Sequence, residues 1–277
     1  MKKAIQYMLI SAIGFTLLNT FIKYLNHFNV YQIVFFRSIG SLFFTVPFLL
    51  KNKIYSLGNK RKLLVLRSVF GFISMVLFFS SLKLISMGSA VSIRYIAPIF
   101  AIVFAVLILK EQIKKVQWLA CVIAFLGVVI IKGFDIEMNV LGLLYALLSA
   151  FFAGIVYIII RKIGDKDHPM VIVNYFMIIS GIISGCLSLF YWKMPQLWEW
   201  FVLFSLGIFG YFGQYYMTKA LQSSETNMVA PLKYVEVVFT MIIGVIWFKE
   251  IYNIYNLIGI LLVVSGLIIN VLSKQSK

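Results

Sequence analysis

Three of the ionisable residues within long apolar stretches of this sequence, where a charge is costly, are candidates for binding chemistry. They are Arg94, Lys233 and Glu236. Glu236 is the only acidic residue deep in such a stretch, and Lys233 precedes it by three positions, so both fall on the same face of a helix. Two interpretations stay open for this pair. It is either a structural ion pair or the polar wall of a cavity, where Glu236 attracts a cation or accepts a proton.

Arg94 is the second candidate for binding chemistry, one to two turns inside its predicted helix. Its guanidinium group has the planar fork that binds a carboxylate through two parallel hydrogen bonds. An arginine at this depth can also extend its charge outward to the surface, and the sequence leaves both interpretations open. We interpret Arg37 and Arg67 as residues that reach the surface or fasten neighbouring helices.

Uncharged polar and aromatic residues lie in the same apolar stretches. The candidates for contact with a bound molecule are the rings of Tyr95, Tyr211 and Tyr234 and the side-chain amides of Asn19 and Gln214. Hydrogen bonds between helices would explain the two amides as well as a binding role does. The chain has 15 Tyr and 26 Phe, so most of its aromatic residues are expected to pack between helices or at membrane interfaces.

Pro98 and Pro231 fall inside two predicted helices, where proline interrupts the backbone hydrogen bonds and kinks the helix. We predict that both are hinges, with a static kink as the alternative. The sequence indicates no catalytic residue and no metal or other cofactor. His27 and His168 stand alone in predicted loops, and the GxxxxGK[ST] motif for nucleotide phosphates does not occur.

The composition indicates which elements carry these residues. Of the 277 residues, 62% are hydrophobic and 12% are charged, whereas soluble domains average about half apolar and a quarter charged residues. We therefore predict an integral membrane protein. The net charge of +16 does not indicate nucleic-acid binding, because such a protein needs a solvated basic face.

Polar residues at nearly even intervals predict ten transmembrane helices. A span needs about 20 mostly apolar residues, and the predicted spans cover residues 4–24, 31–50, 63–82, 89–109, 116–132, 140–160, 170–192, 199–221, 226–248 and 254–273. Strands are not expected, because these segments are apolar on every side instead of alternating. Outside the helix interiors, 16 Lys and Arg fall on the side of the N-terminus and 5 on the other. This asymmetry predicts a multi-pass protein with both termini in the cytoplasm.

An internal repeat relates the two halves of the chain. Arg94 and Lys233 are 139 residues apart, and so are Gly127 and Gly266. Five helices per half is an odd number, so the second half must cross the membrane in the opposite direction. We predict an all-α bundle of two inverted five-helix repeats, residues 1–139 and 140–277.

The segment of residues 89–98, which leads through an apolar helix to Lys110-Glu111, resembles the EamA-type transporters of the drug/metabolite transporter superfamily. The resemblance covers essentially the whole chain. Within that family, residues 35–37, 66–67 and 230–236 are most similar to the subgroup of S-adenosylmethionine uptake carriers. Asn19 departs from the subgroup, which often has an acidic residue at this position.

The resemblance implies a secondary transporter in the inner membrane that moves a small polar, zwitterionic metabolite by alternating access. S-adenosylmethionine and amino-acid-like solutes are the expected substrates. An exporter of amino acids or drug-like metabolites is the alternative, and an integral membrane enzyme acting on lipid head groups is a remote one. The expected partners are the solute and the lipid bilayer. Coupling to protons or to a counter-solute and assembly as a homo-oligomer stay open, and nucleic acid is not an expected partner.

Overall fold

The computed structural model describes residues 2–109, 115–133, 139–223 and 235–275. Within these ranges the chain forms α-helices joined by short loops and contains no strand. The helices are α1 (Lys2–Tyr24), α2 (Val30–Lys51), α3 (Arg61–Leu84), α4 (Met87–Arg94), α5 (Ala97–Leu109), α6 (Lys115–Gly133), α7 (Val140–Ile163), α8 (Pro169–Ser188), α9 (Leu197–Ser223), α10 (Val235–Phe248) and α11 (Ile254–Gln275).

The helix ends agree with the predicted segments because polar residues between the apolar stretches cap the helices. The side chains of Asn29, Asn139 and His168 each accept a hydrogen bond from a backbone amide in the turn that follows. Such caps satisfy amides that have no partner inside the helix. The first part of the ninth predicted helix, residues 226–234, lies outside the described residues.

The fourth predicted helix is two helices in the structure, α4 and α5, separated at Tyr95 and Ile96. Pro98 explains this break. It has no amide hydrogen, so the carbonyl of Arg94 lacks the hydrogen bond that a continuous helix would give it. Helical bonding resumes where the amide of Ile99 donates to the carbonyl of Ile96 at 2.8 Å.

Helix packing follows the same scheme in both halves. α1 packs against α9, α3 against α7, α2 against α8 and α6 against α11. In the repeat, α1 corresponds to α7, α2 to α8, α3 to α9 and α6 to α11. When each helix is replaced by its counterpart, the same four contacts result. The contact of α1 with α10 likewise matches the contacts of α7 with α4 and α5. The predicted fold class, two inverted five-helix repeats, is confirmed.

Two repeat-related glycines, Gly127 and Gly266, let α6 and α11 approach each other closely. A Cβ atom on Gly127 would lie 2.6 Å from the carbonyl oxygen of Gly259 in α11. A Cβ atom on Gly266 would lie 2.7 Å from the carbonyl oxygen of Ala120 in α6. Small residues allow helix backbones to come this near in membrane proteins, and each half supplies one of them.

In the part of the chain that the structure describes, five helical segments are long and apolar enough to cross a membrane: Gln6–Tyr24, Val30–Lys51, Arg61–Leu84, Val140–Ile160 and Pro169–Tyr191. Shorter apolar helices, among them α10, pack with these segments. A transmembrane bundle is therefore supported by length and composition as well as by packing.

Polar contacts join the two halves at both ends of the bundle. At one end, Nε2 of His27 lies 2.7 Å from Oε1 of Glu199. At the opposite end, Asp167 accepts hydrogen bonds from the backbone amides of Asn59 and Lys60. His27 is isolated in the sequence, but the fold gives it a carboxylate partner from the other half.

Candidate functional site

A cavity of about 140 Å³ lies between the two halves of the bundle. Helices α1 to α4 of the first half and α7 to α10 of the second all contribute side chains to its wall. Its charged and hydrogen-bonding residues include Asn19, Arg37, Arg67, Arg94, Tyr95, Gln214 and Glu236. The sequence analysis selected five of these seven residues as binding candidates.

The volume of this cavity is small for a substrate site. It is close to that of a cavity that holds one benzene molecule, about 150 Å³, and well below the roughly 300 Å³ at which sites for small metabolites begin. A metabolite would therefore need more room than the described cavity provides.

Glu236 lies in the first turn of α10 and is 5% exposed. Its Oε1 accepts a hydrogen bond of 3.1 Å from the side-chain amide of Asn19 in α1. Its Oε2 accepts a hydrogen bond of 2.6 Å from the phenol of Tyr95. An ionised carboxylate is an acceptor only, and both donors come from the first half of the chain. This carboxylate therefore connects the two halves at the cavity wall.

Tyr95 owes its position to the break between α4 and α5. It is the residue that follows α4, and residues 87–93 of that helix are all buried. α4 packs against α7 and α10, the two second-half helices nearest to this break. A short buried helix thus holds the phenol of Tyr95 directly against the Glu236 carboxylate.

Arg94 precedes the break and is partly buried. Its guanidinium carbon lies 4.0 Å from the centre of the Phe78 ring, a cation–π contact. Glu236 is near enough to attract the Arg94 charge electrostatically. The structure therefore places a cation, Arg94, and an anion, Glu236, at the wall of one cavity.

Arg37 and Arg67 do not reach the surface, which was one of the two interpretations from the sequence. The other interpretation, that they fasten neighbouring helices, stays open. They are 4% and 5% exposed, and both line the cavity. The guanidinium carbon of Arg67 lies 4.2 Å from the centre of the Phe176 ring, and that of Arg37 lies 5.9 Å from the same ring. Their positions near helix ends suggested shallow depth, but depth along a helix does not reveal which face turns inward. On α3, a cavity-lining face at helical spacing includes Arg67, Gly71 and Phe78, and this periodicity was the available signal.

The remaining predicted site residues have different positions. Gln214 lines the cavity. Tyr211 is not among the described lining residues, since its ring stacks on Phe44 with the ring centres 4.9 Å apart. Pro98 lies in the first turn of α5. Lys233, Tyr234 and Pro231 lie outside the described residues, so the proposed Lys233–Glu236 pair stays a prediction.

A second polar cluster closes the bundle next to the cavity. Lys23 in α1 forms an ion pair with Glu250, the second residue after α10. Glu250 also accepts hydrogen bonds from the amide of Met87 at the start of α4 and from the phenol of Tyr252. We call Lys23, Glu250 and Tyr252 the end cluster. Lys23 is one helical turn, about 6 Å, beyond Asn19.

Tyr252 is a fixed donor within the end cluster. Burial, and then the adjacent negative charge of Glu250, raise the pKa of Tyr252 well above its usual range. The phenol therefore stays protonated at physiological pH and donates a hydrogen bond to Glu250. The same oxygen accepts a hydrogen bond of 3.1 Å from the amide of Gly88, so the cluster also holds the first turn of α4.

Comparisons with known proteins match this arrangement to one family. The model of the EamA-like transporter family matches twice, at residues 2–133 and 140–272. A solved crystal structure superposes with a TM-score of 0.65 at 17% identity, covering 98% of this chain and 99% of that one. At that identity the superposition supports the fold alone.

Several curated relatives match over nearly the full chain. Solute carrier family 35 member G1 of Homo sapiens is 29% identical, covering 94% of this chain and 76% of its own length. The pseudopaline exporter CntI of Pseudomonas aeruginosa is 27% identical and covers 100% of this chain and 98% of its own. The S-adenosylmethionine uptake transporter of Rickettsia prowazekii is 25% identical, with coverages of 97% and 92%.

Proposed function

The chain belongs to the EamA-like transporter family, and from this premise we propose that it carries a zwitterionic, amino-acid-like metabolite across the inner membrane by alternating access. The chain is a multi-pass membrane protein of the drug/metabolite transporter superfamily, and its named relatives are transporters rather than enzymes. Beyond family membership, we propose the charge type of the solute, the residues that bind it and a secondary mode of transport.

One observation carries the proposal: Glu236 and Arg94 face the same cavity from opposite halves of the chain. Glu236 offers a carboxylate whose geometry Asn19 and Tyr95 fix through hydrogen bonds of 3.1 and 2.6 Å. Arg94 offers a guanidinium group that suits a carboxylate. An amino acid has an ammonium group that would bind Glu236 and a carboxylate that would bind Arg94. Ionisable groups inside a membrane bundle are usually part of such a substrate path.

The names of two relatives support a solute of this kind. One is named for uptake of S-adenosylmethionine and another for export of pseudopaline. S-adenosylmethionine has both an amino-acid ammonium group and a carboxylate, so it fits the pair formed by Glu236 and Arg94. Transport of S-adenosylmethionine or of another amino-acid-like solute is our leading proposal, and export of amino acids or drug-like metabolites is the alternative.

Alternating access would break and re-form the contacts between the two halves at the ends of the bundle. The end cluster joins α1 to α4 and to the loop after α10, on one side of the cavity. Solute release on that side requires the Lys23–Glu250 pair to separate. The break at Tyr95 next to Pro98 would let α4 move with the end cluster while α5 stays packed on α7. Pro231 is the corresponding proposed hinge in the second half.

Orientation and coupling complete the proposal. The excess of Lys and Arg on one side supports cytoplasmic termini. Transport would be driven by a proton gradient or by exchange with a counter-solute. Residues 1–139 and 140–277 would rock against each other as the two units.

Counterflow into liposomes tests this function. The purified protein is reconstituted in vesicles loaded with an unlabelled solute, and entry of the same labelled solute is measured for S-adenosylmethionine, neutral amino acids, nucleosides and small cations without a carboxylate. Accumulation of solutes that have both an ammonium group and a carboxylate would support the proposal. Accumulation restricted to nucleosides or to simple cations would contradict it.

A further inference from the structure

Three guanidinium groups line the cavity, and the proposed amino-acid site uses only one of them. Arg37 comes from α2, Arg67 from α3 and Arg94 from the end of α4. Each lies against an aromatic ring, and Arg37 and Arg67 share the ring of Phe176. Among the described lining residues, these three positive charges face one carboxylate, that of Glu236. The cavity wall therefore has an excess of positive charge.

Arg37 and Arg67 also have hydrogen-bond donors without a partner. Nε of Arg37 and both Nε and Nη1 of Arg67 are buried and make no hydrogen bond. Nη1 of Arg37 donates only to the thioether sulfur of Met75, which is a weak acceptor. Neither arginine lies within ion-pair distance of a carboxylate in the described part of the chain.

Buried hydrogen-bond donors without a partner raise the free energy of the folded protein, and a ligand that accepts these hydrogen bonds would remove this cost. A buried, charged donor without an acceptor loses its hydration and gains nothing in return. A guanidinium group presents its N–H donors as a planar fork, which matches the two oxygens of a carboxylate or a phosphate. A purely structural fastener would be expected to have acceptors from a neighbouring helix.

We propose that Arg37 and Arg67 form a second anion-binding subsite in this cavity, so that the solute has an oxyanion group, carboxylate or phosphate, in addition to its amino-acid carboxylate. This inference rests on the proposed function, because it places the amino-acid end of the solute between Glu236 and Arg94. It narrows the substrate class from zwitterions in general to amino-acid-like solutes of net negative charge. S-adenosylmethionine, which has a sulfonium and an ammonium group but only one carboxylate, is then a poorer substrate.

A panel of four probes tests the subsite in the full-length purified protein. L-glutamate has a second carboxylate, O-phospho-L-serine has a phosphate, L-glutamine has neither and S-adenosylmethionine has an additional positive charge. Thermal stabilisation by each probe reports binding to the folded state. We expect L-glutamate or O-phospho-L-serine to bind at least about tenfold more tightly than L-glutamine, since the difference is a charge-assisted bidentate contact. Whichever of the two anions binds more tightly shows whether the second group of the solute is a carboxylate or a phosphate.

The variant Arg67→Met separates a ligand-binding role from a structural one. It removes unpaired donors from a buried position, so the protein without solute should unfold at the same or a higher temperature, while the preference for the anionic probe over L-glutamine is lost. Arg67→Lys keeps the charge without the fork and should restore part of the preference. Arg61→Gln, at the exposed start of the same helix, is the matched control and should bind all four probes as the unaltered protein does.

Three results would overturn the proposed subsite. The first is that L-glutamine or S-adenosylmethionine binds as tightly as both anions or more tightly, and the second is that neither anion stabilises the protein. The third is that Arg67→Met loses stability while its preference for the anionic probe over L-glutamine is unchanged. If L-glutamine and S-adenosylmethionine are still transported in counterflow, the proposed function stands and only this inference fails. If no solute with an ammonium group and a carboxylate is transported, the proposed function itself fails.

Discussion

The phenol of Tyr95 donates a hydrogen bond of 2.6 Å to Oε2 of Glu236, across the boundary between the two halves of the chain. Tyr95 lies at the break that Pro98 introduces, and Glu236 lies in the first turn of α10. The carboxylate is thus fixed from the first half while it belongs to the second. A relative movement of the halves would change this contact and the charge that the cavity presents.

Removal of this hydrogen bond should weaken solute binding without unfolding the protein. Tyr95→Phe removes one of the donors that hold the Glu236 carboxylate, so the carboxylate is less well oriented. We expect affinity for a transported amino-acid-like solute to fall about tenfold, the effect of one charge-assisted hydrogen bond. Isothermal titration with the solute identified by counterflow measures this change. Tyr175→Phe, whose hydroxyl donates to the carbonyl of Leu57 at the bundle end, should leave the affinity unchanged.

Disruption of the end cluster should open its side of the bundle. Glu250→Gln removes the charge that pairs with Lys23, so we expect a cysteine introduced at Ser89, a buried position in α4, to react about tenfold faster with a membrane-impermeant thiol reagent. Exchange of the two charges in the double variant Lys23→Glu and Glu250→Lys should slow the reaction again. An unchanged rate in Glu250→Gln would show that these residues do not close the bundle.

The raised pKa of Tyr252 leads to a prediction about pH for the same experiment. The neutral phenol is the form that the folded state favours, so its contribution is complete below the usual tyrosine pKa of about 10 and is lost only above that value. A cysteine thiol itself reacts faster as it ionises, so each labelling rate is divided by the rate of a fully exposed cysteine at the same pH. For Glu250→Gln this ratio should be the same at pH 7.5 and pH 9, and a steep change in it would contradict the assignment of Tyr252 as a fixed donor.

The contact between α2 and α9 should not tolerate a methyl group. A Cβ atom on Gly207 would lie 2.3 Å from Cα of Gly40, and backbone atoms cannot move aside as a side chain does. Gly207→Ala should therefore lower stability by about 1–3 kcal/mol, measured by thermal unfolding in detergent. Gly181→Ala is the matched control, since its nearest neighbour, Cβ of Ser38, is 3.5 Å away. Equal stability of the two variants would refute the close packing.

Opposite ends of the bundle should face opposite sides of the membrane. Ser56 lies in the loop between α2 and α3, and Ile251 is 91% exposed after α10. In a variant without the native cysteines, a single cysteine at Ser56 should react with impermeant reagent only from the cytoplasm, and one at Ile251 only from outside. Labelling of both from the same side would reject the inverted topology.

The sequence predicted the helices well because their ends depend on local chemistry. The capping residues Asn29, Asn139 and His168 stand in the predicted loops, and Pro98 marks a break that the structure shows in the fourth predicted helix. The offset between Gly127 and Gly266 also revealed the repeat, since both positions need a side chain of the same small size.

The site was harder to predict because it depends on which helix face turns inward. Glu236 and Arg94 were found by their charge alone. Arg37 and Arg67 were interpreted from depth and were missed as cavity residues. Tyr211 was selected for its ring, but α9 has aromatic residues on several sides, and the Tyr211 ring stacks on Phe44. The Lys23–Glu250 contact joins residues 227 positions apart, and no local pattern indicates it.

The most direct test of the central claim compares transport by Glu236→Gln and Glu199→Gln in the same liposomes. Both residues are buried carboxylates, but only Glu236 lines the cavity, whereas Glu199 pairs with His27 at the bundle end. Glu236→Gln should reduce counterflow of the amino-acid-like solute at least about tenfold, while Glu199→Gln keeps the rate of the unaltered protein. Full transport by folded Glu236→Gln would contradict the proposed role of this carboxylate.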